Sequence, residues 1–331
     1  MVKRAVTLSQ IVFMLVMLFT LPLAGCNNSQ PGISDISAPD LDNKHSKVIG
    51  FSVAGFTALY FKVLIEYARL EAIKHDAELV VLDAKWSNER QKEHIEEFIK
   101  LHVDAICVIP VDSKAVIPAF RQIKEAGIPL IDVNVQNDPE ADELIDAFVG
   151  ASMDEEAALA AESIIKLLGE NGGNVVMLEG AEGNFATIHR ALGFENSIRE
   201  YPNIRIIARE YTGWERAKAK SAMREILSRH KRIDALYAQD DNIAIGAIEA
   251  IKEAGRAGEF PVVSISGNID GYEAVKRGEI YSTVSQPPDW EGITAVQVAV
   301  KLINGEKVDK WVKTPVQQVT RENVVYFKGL W

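Results

Sequence analysis

From position 48 onward, short continuous apolar runs alternate with longer stretches of helical period. Val48-Ile49-Gly50-Phe51-Ser52-Val53 reads as a buried strand. A helix over about 59–75 follows, with Phe61, Leu64, Ile65, Ala68 and Ala72 on one face. Next come the strand Leu79-Val80-Val81-Leu82 and a helix over about 89–101. One strand–helix–strand unit then occurs twice. Its first copy is Val103-Asp104-Ala105-Ile106-Cys107-Val108-Ile109, a polar turn at Asp112-Ser113, and a helix ending Ile123-Lys124-Glu125-Ala126-Gly127. Its second copy is Ile233-Asp234-Ala235-Leu236-Tyr237-Ala238, the turn Gln239-Asp240-Asp241-Asn242, and a helix ending Ile251-Lys252-Glu253-Ala254-Gly255. Ala244, Ala247, Ile248 and Ile251 mark the second helix's buried face, and Gly255 its C-terminal stop. Each copy leads into a strand opened by proline, at Pro129 and at Pro261.

Between the copies the pattern restarts at Ala147-Phe148-Val149-Gly150. It continues with a helix over about 155–168, the strand Asn174 to Leu178, a loop over 179–185 and a helix through Ile198. A strand over about 204–208 and a helix to about Ser228 precede the second copy. A strand over 281–286, a helix over about 290–303 and an extended tail with Val316 and Val319 close the chain. Continuous apolar strands separated by helices predict parallel sheets covered on both faces. A unit used twice predicts an α/β protein of two similar Rossmann-like lobes. In such sheets ligands bind beyond the carboxyl ends of the strands, here Ile109, Val133, Gln239-Asp240 and Ser266. These ends are expected to face one another across a cleft.

The length of 331 residues suits two domains of ordinary size. A net charge of −11 argues against nucleic acid, which requires a basic face. Of the two cysteines, Cys107 sits inside an apolar strand and reads as a buried small hydrophobe. Cys26 belongs to a different setting. Lys3 and Arg4, the apolar run 11–19 and the small residues before Cys26 form an export signal over 1–25. The run is short for a membrane-spanning helix. The polar stretch 26–46 reads as a flexible tether.

Catalytic and metal patterns are missing from the sequence. None of the six histidines stands in a metal-binding spacing, and no nucleophile elbow or Walker loop is present. His94-Ile95-Glu96-Glu97 reads as a solvated helix face. Gly180-Ala181-Glu182-Gly183 lies between strand and helix, but it lacks the rest of a phosphate motif. A turn that lets backbone approach a ligand is the better reading. No cofactor is expected. Polar and aromatic residues instead gather at strand ends: Tyr60 and Phe61, Arg190, Trp214, Asp240 and Gln286. Guanidinium, carboxylate and amide groups bond adjacent hydroxyls, and aromatic faces cover the C–H faces of a sugar ring. A few polar groups among aromatics describe a small-molecule cleft.

Over about 47–322 these residues resemble the ribose-binding-protein family, solute-binding proteins of ABC sugar importers. The most specific segments are Ala238-Gln239-Asp240-Asp241-Asn242-Ile243-Ala244-Ile245-Gly246-Ala247, Arg190-Ala191-Leu192-Gly193-Phe194 and Ser285-Gln286-Pro287-Pro288-Asp289. The resemblance implies the type I periplasmic-binding-protein fold, with lobes 47–151 plus 287–312 and 152–286 plus 313–331. It implies a three-stranded hinge near Ala151-Ser152, Gln286-Pro287 and 311–314. It implies ligand contacts from Tyr60, Phe61, Asn134, Arg190, Trp214, Asp240, Ser266 and Gln286. Asn134-Val135 stands where the family has an Asp-Arg pair, and Ile109, Ala58 and Ser266 replace other polar residues. The expected ligand is therefore a monosaccharide, polyol or related hydroxylated molecule rather than ribose in particular. The implied partners are an ABC permease with its ATPase, and the protein is expected to be monomeric. Leu23-Ala24-Gly25-Cys26 is similar to the lipobox of bacterial lipoproteins, which implies cleavage before Cys26, a lipid on its thiol and anchoring at the cell membrane. An alternative role is a sensor that presents its bound ligand, a sugar or a furanosyl signal such as autoinducer-2, to a membrane receptor. The same fold serves as the effector domain of LacI-type regulators, but an export signal stands where their helix-turn-helix would be. An enzyme on this scaffold lacks a catalytic constellation.

Overall fold

The computed structural model describes residues 47–136 and 138–331. The export segment, Cys26 and the tether lie outside the described residues. The first half runs β1 (Lys47–Val53), α1 (Leu59–Lys74), β2 (Ala77–Asp83), α2 (Asn88–Lys100), β3 (Ala105–Val108), α3 (Ile117–Glu125), β4 (Leu130–Val133) and β5 (Ala147–Gly150). The chain continues with α4 (Met153–Leu168), β6 (Gly173–Glu179), α5 (Phe185–Ile198), β7 (Ile204–Tyr211), α6 (Arg216–Arg229), β8 (Ala235–Ala238), α7 (Asp241–Glu253) and β9 (Val262–Ser266). It closes with α8 (Ile269–Arg277), β10 (Ser282–Ser285), α9 (Pro288–Ile303), β11 (Trp311–Lys313) and β12 (Gln317–Thr320).

The strands form two six-stranded sheets, ordered β2-β1-β3-β4-β5-β11 and β7-β6-β8-β9-β10-β12. The repeated unit takes the same place in each, as β3-α3-β4 and β8-α7-β9. Both of its helices end where glycine turns left-handed, Gly127 at φ +70° and Gly255 at φ +71°. All pairings are parallel except β10–β12, which is antiparallel. That pairing departs from the all-parallel expectation, because only a short connection separates β11 in one sheet from β12 in the other. The segment read as an extended tail thus supplies an edge strand to each sheet. The short helix α8 had no counterpart in the sequence reading, because Gly271 interrupts its only two turns of periodicity.

Each sheet is buried on both faces, as its continuous apolar strands require. One lobe holds apolar clusters around Phe51 and Leu64 on one face and around Phe98 and Phe120 on the other. The second lobe holds clusters around Met223 and Ile251 and around Phe194 and Tyr237. The chain crosses between the sheets three times: between β5 and α4, between β10 and α9, and between β11 and β12. Helix α9 packs on α1 of the first lobe and α4 on α5 of the second. Each sheet's fifth strand therefore feeds a helix into the opposite lobe.

Candidate functional site

A cavity of about 1080 Å³ lies between the two lobes at the carboxyl ends of the strands. Tyr60, Phe61, Asn134, Arg190, Trp214, Asp240, Ser266 and Gln286 all line it. Two of the four expected strand ends do not. Ile109 and Val133 turn into the first-lobe core, and it is Pro110, Val111 and Asn134 that reach the cavity. Gln239 is fully buried and structural: its Oε1 accepts from the Gly180 amide at 3.0 Å and its Nε2 donates to the Thr187 carbonyl at 3.0 Å. Asp240 and Ser266 do line the cavity.

Of the second-lobe helices that begin at the cavity, three are capped by a polar side chain that itself lines it. Asn184 caps α5, Asp240 caps α7 by accepting from the Asn242 amide at 2.7 Å, and Asn268 caps α8. Asp241, one residue inside α7, holds the loop that carries Ser266 and Asn268. Its carboxylate accepts from Ser264 Oγ, Thr283 Oγ1 and the amides of Gly267 and Asn268, at 2.6–2.9 Å. In the first lobe Gln91 does similar work. Its Nε2 donates to the Ile109 carbonyl and its Oε1 accepts from the Val111 amide, which fixes the β3–α3 loop. His94, expected on a solvated face, is half-buried instead and bonded through Nδ1 to Ser52 Oγ at 3.1 Å; burial pushes its pKa down to about 4. Cys107 is fully buried in β3, and that burial raises its thiol pKa.

Four cavity residues other than glycine have left-handed backbones: Trp86 (φ +61°), Asn134 (φ +66°), Trp214 (φ +64°) and Ser266 (φ +124°). Such conformations cost about 1–3 kcal/mol each and persist where surrounding structure imposes them, typically at ligand clamps. At Trp214 the imposing contact is visible. The indole lies on Gly180, where even a Cβ would sit 2.1 Å from Cζ2. The close approach expected at Gly180 is thus made by the Trp214 ring. The ligand face of that loop consists of Ala181, Glu182, Gly183, Asn184 and Phe185.

Arg190 sits under Trp214, its guanidinium carbon 5.9 Å from the ring centroid. Its Nε and Nη2 donate to Glu156 Oε2 at 2.9 and 2.7 Å, Nη1 to the Gln239 carbonyl at 2.9 Å, and Nη2 to Gln286 Oε1 at 3.3 Å. A guanidinium has five N–H bonds, so one, on Nη1, remains for a ligand. Nε and Nη2, the edge that could have bonded two adjacent hydroxyls, are both spent on Glu156, which is fully buried. Burial raises the Glu156 pKa, opposed by the guanidinium beside it. In the first lobe Asn134 donates to Glu291 Oε2 at 2.8 Å, and Thr314, at the third crossing, donates to Glu291 Oε1 at 2.8 Å. Burial, then the Glu291 charge, push the Tyr60 phenol above its ordinary range. Burial also raises the Asp240 carboxyl, against the pull of Arg190.

The sequence reading missed Glu156, Glu291, Trp86 and Trp331. Glu156 and Glu291 lie in the first turns of helices, where acidic residues read as solvated. Trp86, whose Nε1 donates to Thr57 Oγ1 at 2.6 Å, lies in a loop with no period to flag it. Among the described residues no group of three His, Cys, Asp or Glu side chains could hold a metal ion.

Comparison with known proteins gives the family of this two-lobed fold. The periplasmic binding protein domain family matches residues 49–307. The ribose import binding protein RbsB of Bacillus subtilis is 28% identical over 85% of this chain and 89% of its own length. The xylitol-binding protein of Mycolicibacterium smegmatis is 32% identical over 87% of this chain and 80% of its own. The crystal structure of an ABC transporter solute-binding protein from Bacillus halodurans with bound myo-inositol superposes with a TM-score of 0.79 at 31% identity, covering 85% of this chain and 96% of that one. The chain belongs to the periplasmic binding protein family, whose members are extracytoplasmic binding proteins and not enzymes.

Proposed function

We propose that this protein is the solute-binding lipoprotein of an ABC importer and carries an uncharged monosaccharide or polyol to a membrane permease and its ATPase. The observation that carries the ligand class is the state of the two arginines lining the cavity. Arg190 is paired with Glu156 and Arg216 with Asp270. A sugar acid or sugar phosphate would meet Asp112, Glu182 and Asp240 with neither arginine free to neutralise it. A neutral polyol suits the same groups, because carboxylates and amides bond its hydroxyls while the aromatic rings cover its C–H faces. The relatives' names, ribose, xylitol and myo-inositol, fall in this class. Tyr60, Phe61, Asn134, Arg190, Trp214, Asp240, Ser266 and Gln286 form the ligand contacts. The lobes 47–151 plus 287–312 and 152–286 plus 313–331 close as rigid bodies about the three crossings. The protein acts as a monomer, held to the membrane by a lipid on Cys26.

Thermal denaturation against D-ribose, xylitol, myo-inositol, glucuronate and ribose 5-phosphate tests the ligand class. A ligand at a hundred times its Kd adds about 2.7 kcal/mol of stability. A raised midpoint with a neutral compound is expected. A rise with the anionic compounds alone would overturn the class. Cys26→Ser is expected to move the protein from the membrane to the soluble fraction of cells, and retention at the membrane would remove the anchor.

A further inference from the structure

After β12 the chain runs along the second lobe as a strap, and its Trp331 reaches the cleft. Val324 is buried in the second-lobe core, and Phe327 packs on Tyr272 with ring centroids 5.9 Å apart. Arg321 Nε donates to the Lys276 carbonyl at 3.2 Å, and the Ile269 amide donates to the main-chain oxygen of Trp331 at 2.9 Å. Gly329 is pressed so closely on α8 that a Cβ there would lie 2.6 Å from the Ile269 Cα. The strap is therefore fixed to the second lobe along α8. Yet the Trp331 indole meets Tyr60 of α1, in the first lobe, edge to face at 5.2 Å and 87°. Both rings line the cavity.

We propose that Trp331 is a ligand-facing wall of the cleft, carried by the second lobe, whose ring contact with Tyr60 latches the two lobes shut. The contact joins residues on opposite sides of the three crossings, so opening the lobes separates the rings. Its energy counts in the closed state alone, and a latch of this kind raises the affinity for any ligand the closed cleft holds. Trp331 lines the same cavity as Trp86 and Phe61, whose rings are 6.1 Å apart. The indole thereby sets how large a solute can be enclosed. The ligand part of this inference rests on the transport reading above; the latch does not.

The test uses the full chain with Trp331→Ala, Trp331→Phe and Gly329→Ala, titrated calorimetrically with D-ribose, xylitol and myo-inositol. Small-angle scattering of the ligand-free proteins is measured alongside. Loss of an aromatic pair predicts affinity about 2- to 10-fold weaker in Trp331→Ala for every probe the wild type binds, with faster release. Gly329→Ala, which keeps the ring but lifts the strap, should behave in the same way, and Trp331→Phe should keep most of the affinity. The ligand-free Trp331→Ala protein should show a larger radius of gyration at an unchanged melting midpoint. Unchanged affinity with unchanged scattering would overturn the proposal. If the wild type binds none of the probes, the transport reading fails, and scattering alone still decides the latch.

Discussion

Arg190→Ala is expected to destabilise the protein by about 3–5 kcal/mol, measured as a fall in the urea midpoint at constant slope. The effect comes from what the substitution leaves behind. Glu156 is fully buried on α4, and Arg190 supplies both hydrogen bonds to its Oε2. Glu156 Oε1 has no hydrogen-bond partner, so the guanidinium is what makes this buried charge tolerable. Removing it strands an uncompensated carboxylate and frees the Gln239 carbonyl and the Gln286 amide oxygen. Arg190→Met combined with Glu156→Leu should recover most of the loss, since a buried pair exchanged for apolar side chains of similar volume is often near neutral. Ligand binding separates the two roles of the arginine. The double variant, though stable, should still bind the sugar or polyol more weakly, because the remaining Nη1 donor and the support beneath Trp214 are gone. A double variant with wild-type affinity would show that Arg190 serves folding alone.

The fold could be read largely in advance because buried parallel strands are apolar without interruption, and their helices carry period and stops that name themselves. The repeated unit was visible for that reason, down to Gly127 and Gly255. Seven of the eight cleft residues were marked by their places near strand ends, where a parallel sheet puts its binding positions, and Asn134 entered through the family resemblance alone. What escaped notice lacked a periodic or positional mark. Ile109 ends a strand as Asp240 does, and only packing decides that one turns inward. Trp86 and Trp331 sit in loops, and a lone tryptophan there says nothing about what it will touch. Glu156 and Glu291 look like solvated first-turn acids, because sequence shows a residue's place along a helix and not the face that a packed neighbour will bury. The arginine's role changed with them: a donor read as free for a ligand is committed to a carboxylate 34 positions away in the chain.

Lowering the pH from 8 to 5 is expected to stabilise the folded protein, and Glu291→Gln is expected to remove a large part of that gain. Glu291 lies on α9 beside the crossing into the first lobe, and burial pushes its carboxyl up to about 7, an effect the bonds from Asn134 and Thr314 reduce and the charge of Glu156 reinforces. Exposed in the unfolded chain, the same group titrates near 4.5. Between these values the folded protein holds a proton that the unfolded chain has released, so stability falls as pH rises through this window. The stabilisation is complete below about 4.5 and lost once pH passes about 7. A shift of this size corresponds to roughly 3 kcal/mol. Asp241, also raised to about 7 by burial and by its neighbour Asp240, adds a dependence of the same sign that the substitution leaves in place. The amide of Glu291→Gln imitates the protonated acid, and the Thr314 hydroxyl can rotate to accept from it. The variant should therefore match the wild type near pH 5 and exceed it in urea midpoint near pH 8. Because Glu291 also orients the Asn134 amide at the cavity wall, ligand affinity in the wild type should change over the same pH interval, and change less in the variant. Parallel pH profiles for the two proteins would mean that Glu291 is already ionised in the folded state at pH 5, and that its bonds from Asn134 and Thr314 outweigh its burial.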